Sequence, residues 1–214
     1  MDIEKITNLE DKQKLAVEIA KKVRNSEVIG FGSGTTCYLA AIEIGKKVQK
    51  ENLHITAIPT SNEIQNVCTK YGIKIGSLLE NDINWAFDGA DEIDPNNNMI
   101  KGMGKALFKE KLNLLSSPKN FILADKTKFV TKLGEKHLLP IEVYPQAMKF
   151  VASELTEKLG ATETVYQGMT ENDNAIIHCK FENLNEELEK KIKLIPGVIE
   201  SGLFMGMNVE IITV

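Results

Sequence analysis

Three stretches of this sequence hold residue types that can do chemistry. The stretch Asp88-Gly89-Ala90-Asp91-Glu92-Ile93-Asp94 places four carboxylates within seven residues. Carboxylates so placed can orient hydroxyls, move protons or hold a hard cation, although most acidic loops are merely solvated. The stretch Lys101-Gly102-Met103-Gly104-Lys105 sets an ammonium beside a flexible glycine pair, whose amides can donate to an oxyanion. Glu110 follows about two turns into the helix expected over 104–116; by itself it reads as a surface glutamate paired with neighbouring lysines. The stretch Gly30-Phe31-Gly32-Ser33-Gly34-Thr35-Thr36 is a glycine turn between an apolar run and a helix. Amides at such a helix start can hold a phosphate, and Ser33, Thr35 and Thr36 add hydroxyl donors. Thr35 stands where a dinucleotide fingerprint requires its third glycine, and the next strand ends in Ile58-Pro59-Thr60-Ser61 without an acidic residue. Both departures disfavour a nicotinamide dinucleotide. The turn alone indicates an anion site and nothing narrower.

The elements that must position these stretches follow from hydrophobic spacing. Leu15, Ile19 and Val23 repeat every fourth residue, which predicts a helix over 10–24. A helix over 35–50, a strand over 53–58, a helix capped by Ser61 and a strand over 84–87 leading into Asp88 come next. The helix over 104–116 and a strand over 121–124 complete an alternation that means a parallel sheet with helices on both faces. Ligands of such sheets bind outside the carboxyl ends of the strands, where the glycine turn and the acidic loop fall. After residue 130 the rhythm changes. Strands over 141–144, 162–166, 175–181 and 198–204, with helices over 146–159 and 185–193, give the order β-α-β-β-α-β of ferredoxin-like units. The strand over 209–212 is one too many for that unit and is expected to return to the first sheet. The expected fold is α/β: a Rossmann-like parallel-sheet domain, residues 1–130 and 205–214, with an inserted smaller ferredoxin-like α+β domain, residues 131–204.

Bulk properties narrow the partners. The chain has 214 residues, 43% hydrophobic and 26% charged, with net charge -4 and pI near 5.6. That balance argues against a nucleic-acid surface and allows a small anionic substrate at a local positive site. No apolar run reaches membrane-spanning length, so no membrane partner is expected, and Met1-Asp2-Ile3-Glu4-Lys5 lacks the character of a signal peptide. Cys37, Cys68 and Cys179 are odd in number and widely spaced, which suits buried thiols in a cytoplasmic protein. His54, His137 and His178 show no ligand spacing, so no metal site is expected.

Taken together, the segments resemble the type A ribose-5-phosphate isomerases, collinearly along almost the whole chain. The resemblance rests on the Gly-x-Gly-x-Gly-Thr-Thr turn, Asp88-Gly89-Ala90-Asp91-Glu92, Lys101-Gly-x-Gly, Glu110-Lys111, Ala124-Asp125-Lys126-Thr127-Lys128, Leu139-Pro140-Ile141-Glu142-Val143, and Pro196-Gly197-Val198 with Gly202-Leu203-Phe204. It implies an aldose–ketose isomerase of the non-oxidative pentose phosphate pathway, converting ribose 5-phosphate and ribulose 5-phosphate through an enediolate, without cofactor, as a homodimer. It also implies that Ser33, Gly34, Thr35, Thr36, Asp88, Gly89, Ala90, Asp91, Lys101, Gly102, Met103 and Gly104 line the substrate site. Lys128 would reach the substrate and Glu110 would be the catalytic base. Lys101 with the amides of Gly102 and Gly104 would stabilise the enediolate, while Asp88 and Asp91 would orient hydroxyls and move protons between oxygens. Met103 stands where the family usually has glycine, and Thr170-Glu171-Asn172-Asp173-Asn174 departs from the family's usual turn. Two other readings use the same architecture. A sugar-phosphate-sensing effector domain would need a DNA-binding region, and no basic helix-turn-helix precedes Ile29; a coenzyme A transferase would use a glutamate as nucleophile.

Overall fold

A computed structural model of the chain describes Met1 and residues 3–214; Asp2, part of the N-terminal segment read above, lies outside the described residues. The described residues form two compact units, with elements numbered in chain order through both.

The first unit comprises Met1–Gly89, Lys109–Thr127 and Asn208–Val214. Its strands are β1 (Val28–Phe31), β2 (Thr56–Pro59), β3 (Lys74–Ile75), β4 (Trp85–Gly89), β7 (Asn120–Ala124) and β13 (Val209–Thr213). They form one parallel sheet in the order β13-β7-β4-β1-β2-β3. The last strand does return to the first sheet, beside β7. Helices α1 (Leu9–Lys22), α2 (Gly34–Glu51) and α3 (Asn62–Lys70) bury Leu15, Ile19, Ala40, Ile44, Ile64 and Cys68 against Phe31, Trp85, Phe87 and Phe121. Each buried aromatic or aliphatic side chain of this kind contributes about 1.5–3 kcal/mol. Phe31 and Phe87 meet edge to face at 4.9 Å, and Trp85 meets Phe121 at 5.6 Å. Ser61 caps α3 as expected, its hydroxyl accepting the Ile64 amide at 3.3 Å. Asn113, on α4 (Leu107–Leu115), donates to the Ile58 carbonyl at 2.8 Å. A Cβ on Gly30 would touch that same Asn113, so α4 lies over the sheet face opposite the aromatic core.

The second unit comprises Ala90–Phe108 and Lys128–Met207. Strands β8 (Leu139–Val143), β9 (Glu163–Met169), β10 (Ala175–Lys180) and β11 (Val198–Ser201) make an antiparallel sheet in the order β11-β8-β10-β9. Helices α5 (Met148–Glu157) and α6 (Glu186–Lys193) supply Val151, Leu155 and Ile192 to a core with Leu139, Ile141, Val143 and Ile177. A second, three-stranded sheet in the order β12-β6-β5 pairs β12 (Leu203–Phe204) with β6 (Met99–Ile100), and β6 with β5 (Glu92–Ile93). The strand expected over 198–204 is therefore broken. Gly202 hands the chain from one sheet to the other: its amide donates to Pro140 at 2.7 Å and its carbonyl accepts from Lys101 at 3.0 Å. Those pairings also explain why residues 90–108, expected with the first domain, cluster with the second unit.

Candidate active site

In the first unit the site is built on two neighbouring strand ends. Phe31 and Phe87 are register partners, so Gly32 follows β1 where Asp88 stands in β4. The Gly32 amide donates to the Phe87 carbonyl at 2.8 Å. A Cβ on Gly32 would lie 2.2 Å from the Asp88 carboxyl carbon, so only glycine admits this approach. Asp88 is 1% exposed, and its Oδ1 accepts the Gly89 amide at 2.8 Å and the Cys37 thiol at 3.6 Å. Ser33 occupies the N-cap position of α2 but its side chain does not cap the helix. Its hydroxyl donates instead to Glu110 Oε1. The first-turn amides of Gly34, Thr35 and Thr36 are thus left uncapped by Ser33, the arrangement that suits an anion.

Glu110 is 4% exposed and lies in the first turn of α4. This corrects the expectation of a position two turns into the helix. Residues 102–106 form a turn, with Lys105 in the left-handed region at φ 61° and its amide bonded to the Gly102 carbonyl at 2.9 Å, so the helix begins only at Leu107. A carboxylate in a first turn is favoured by the helix dipole. It is not the surface glutamate that an arbitrary helical position would suggest.

In the second unit the hairpin β5–β6 does the positioning. Its register pairs Glu92 with Ile100 and Ile93 with Met99, which brings Asp91, just before β5, to the same end as Lys101, just after β6. The Asp91 amide donates to the Ile100 carbonyl at 2.9 Å, and Asp91 Oδ2 accepts the Met103 amide at 3.1 Å. Lys101 is 3% exposed, with its ammonium 5.4 Å from the centre of the Phe204 ring, a cation–π distance. Gly102 adopts φ 114°, where a side chain would be strained and would strike Leu107. The Met103 amide is taken by Asp91 and the Lys105 amide by the Gly102 carbonyl. Ala90 is buried, and Lys128, half-buried, closes a 3-10 turn.

The four carboxylates of the acidic loop divide by role. Asp94 closes the β5–β6 turn, accepting the amides of Asn96 and Asn98 at 2.8 Å. Glu92 is fully buried and accepts three backbone amides. Asp88 stands in the last strand positions of β4 and Asp91 at the mouth of the β5–β6 hairpin. Sequence reasoning missed Cys37 and Phe204 as neighbours of Asp88 and Lys101. Nothing local marks either residue, because each is brought in by strand or helix pairing. His178, 6% exposed, is held below the ordinary histidine value by burial, while the Asp91 carboxylate pulls it upward and His137 and Lys105 push it down. The three cysteines are buried and form no disulfide among the described residues, and burial raises the thiols of Cys68 and Cys179 to about 12. Among the described residues no group of three or more His, Cys, Asp or Glu is arranged to hold a metal, and no helix is long and apolar enough to cross a membrane.

The family model for ribose 5-phosphate isomerase A (phosphoriboisomerase A) matches residues 56–214. The chain belongs to the ribose 5-phosphate isomerase A family. That makes it an isomerase. A ribose-5-phosphate isomerase A from Picrophilus torridus is 39% identical, over 94% of this chain and 92% of that protein. The solved structure of ribose 5-phosphate isomerase A from Methanocaldococcus jannaschii superposes with a TM-score of 0.90 at 37% identity, over 96% of this chain and 95% of that one. A D-ribose-5-phosphate isomerase in complex with phospho-erythronic acid gives a TM-score of 0.89 at 34% identity, over 100% of this chain and 96% of that one. The α/β fold with a central parallel sheet is thus a family property.

Proposed function

We propose that this chain interconverts ribose 5-phosphate and ribulose 5-phosphate through an enediolate, with Glu110 as the base. The observation that carries the reading is Glu110 itself, a buried carboxylate in a helix first turn, addressed by the hydroxyl of Ser33 from the glycine turn. A carboxylate so held can take the C2 proton of the open-chain aldose. The C–H electron pair becomes the C1–C2 double bond, and the carbonyl π pair moves onto O1. Lys101, with the amides of Gly102 and Gly104, meets that developing charge, where one positioned donor is worth about 3–4 kcal/mol. Asp88 and Asp91 relay the proton from O2 to O1, and Glu110 returns its proton to C1. Asp88 also assists opening of the furanose ring. The glycine turn and Lys128 bind the substrate away from the reacting carbons, so that binding energy serves orientation.

The phospho-erythronic acid complex of a relative supports a phosphorylated four- or five-carbon acid or sugar as the ligand class. The same reading makes the protein a homodimer, in keeping with the resemblance, and a cytoplasmic enzyme of the non-oxidative pentose phosphate pathway; its buried thiols, outside any disulfide, suit a reducing compartment. The test is NMR of ribose 5-phosphate in deuterated water with the protein and excess EDTA. Conversion to ribulose 5-phosphate with solvent deuterium entering at the exchanged carbon is expected. Conversion without any exchange would argue for direct hydride transfer, and activity lost on chelation and restored by magnesium or manganese would make the acidic loop a metal site.

A further inference from the structure

We propose that Glu92 is a positioning residue for Lys128, acting through the segment 129–137. The inference rests on the reading of Lys128 as a substrate contact. Glu92 is fully buried, at 0% exposure. Its Oε2 accepts the Gly134 amide at 2.7 Å, and its Oε1 accepts the amides of Lys136 and His137, each at 2.6 Å. Three amides on one carboxylate form a charge-assisted cradle that holds this backbone turn in one geometry.

The clamp continues toward Lys128. The residue after Glu92, Ile93, bridges in parallel to Phe129, and the Val130 amide donates to the Ile93 carbonyl at 3.0 Å. The segment is also closed on itself. Glu135 Oε2 accepts the Thr131 amide at 3.0 Å and its hydroxyl at 2.8 Å, and the Lys136 ammonium reaches the Phe129 carbonyl at 3.1 Å. Val130 and Leu133 anchor its apolar side in the core of the second unit. Lys128 is therefore the residue immediately before a strap tied at both ends to Glu92 and Ile93, and Glu92 directly follows Asp91. The two adjacent acids have separate tasks: Asp91 belongs to the site, and Glu92 fixes the backbone from which Lys128 projects.

The experiment is a double-mutant cycle on the full chain with Glu92→Gln and Lys128→Ala, read as kcat and KM for ribose 5-phosphate. Glutamine keeps one acceptor oxygen but turns an amide donor toward a backbone N–H, which loosens the cradle without removing it. In the otherwise native chain Glu92→Gln is expected to raise KM about tenfold or more with a smaller change in kcat, the scale of a misplaced binding group. In the Lys128→Ala background the same change should alter kcat/KM by less than about threefold, because its route to the substrate is already cut. Equal losses in both backgrounds would overturn the proposal and leave Glu92 a purely structural acid. A Lys128→Ala variant as active as the native chain would overturn it too, without touching the isomerase reading, which fails only if the native chain does not convert the sugar. If Glu92→Gln does not fold, hydrogen exchange on the native chain decides. Saturating ribose 5-phosphate should slow exchange of the Gly134, Lys136 and His137 amides in the native chain and not in Lys128→Ala; identical protection in both would overturn the coupling.

Discussion

Replacing Glu110 by glutamine isolates the chemical step. Glutamine matches glutamate in size, and its carbonyl can still accept the Ser33 hydroxyl that now meets Oε1. The side chain is 4% exposed, so the substitution removes a buried charge without opening a cavity, and the fold should survive. What is lost is the ability to accept a proton from carbon. A positioned general base is worth roughly 10²–10⁴-fold, or about 2.7–5.4 kcal/mol of barrier at 1.36 kcal/mol per decade. The assay is isomerisation of ribose 5-phosphate in deuterated water, with conversion and proton exchange followed together. Both should fall in parallel, since one group would perform both. Glu92→Gln is an unsuitable control, because Glu92 holds three backbone amides. Glu80, exposed before β4, serves instead, and Glu80→Gln should leave both rates unchanged. A folded Glu110→Gln variant that isomerises within about threefold of the native chain would refute the assignment, since no general base is worth so little. Asp88 would then be the next candidate.

Three further outcomes follow from the geometry. Lys101→Ala should lower kcat about 10²–10³-fold with a smaller rise in KM, since the charge it meets is greatest on the intermediate; unchanged kcat with raised KM would make it a ground-state clamp. Gly32→Ala should cost about 1–3 kcal/mol in urea unfolding and most of the activity, because its Cβ would fall 2.2 Å from the Asp88 carboxyl; native stability and rate would refute the close approach. His178 is depressed below its ordinary 6.5, so below that pH the unfolded chain binds a proton that the folded chain resists. Stability from this group is present above 6.5 and lost as pH falls toward the folded value, so His178→Gln should flatten the difference in urea midpoint between about pH 7.5 and about pH 5.5.

The long elements were legible because their spacing repeats. Leu15, Ile19 and Val23 announced α1, and the apolar run into Asp88 announced β4 and its strand-end acid. The surplus strand after the β-α-β-β-α-β series could be assigned to the first sheet by counting, and β13 lies there. What escaped was set by pairing at a distance. β3, β5, β6 and β12 are two residues each, too short to show alternation, and exist as strands only because a neighbour completes their ladders. The single strand expected over 198–204 reads Val-Ile-Glu-Ser-Gly-Leu-Phe, and nothing in it says that Gly202 would change sheets. The start of α4 was misjudged because a lysine in a left-handed conformation, Lys105, ends the turn where a helix former was read.

The acidic loop shows the same limit at the level of chemistry. Asp88, Asp91, Glu92 and Asp94 are alike in sequence, and their spacing cannot rank them. Environment separates them. Asp94 is consumed by amides two and four residues ahead, a local bond that its Asn-rich turn could have suggested. Glu92 is consumed by amides 42 to 45 residues away, which no local pattern can reveal. A carboxylate held by three backbone donors is fixed in place by the turn it supports. The two acids that remain, Asp88 at the end of a parallel strand and Asp91 at the mouth of a hairpin, are joined by Gly89 and Ala90 alone. The chemistry proposed for this loop therefore falls to these two.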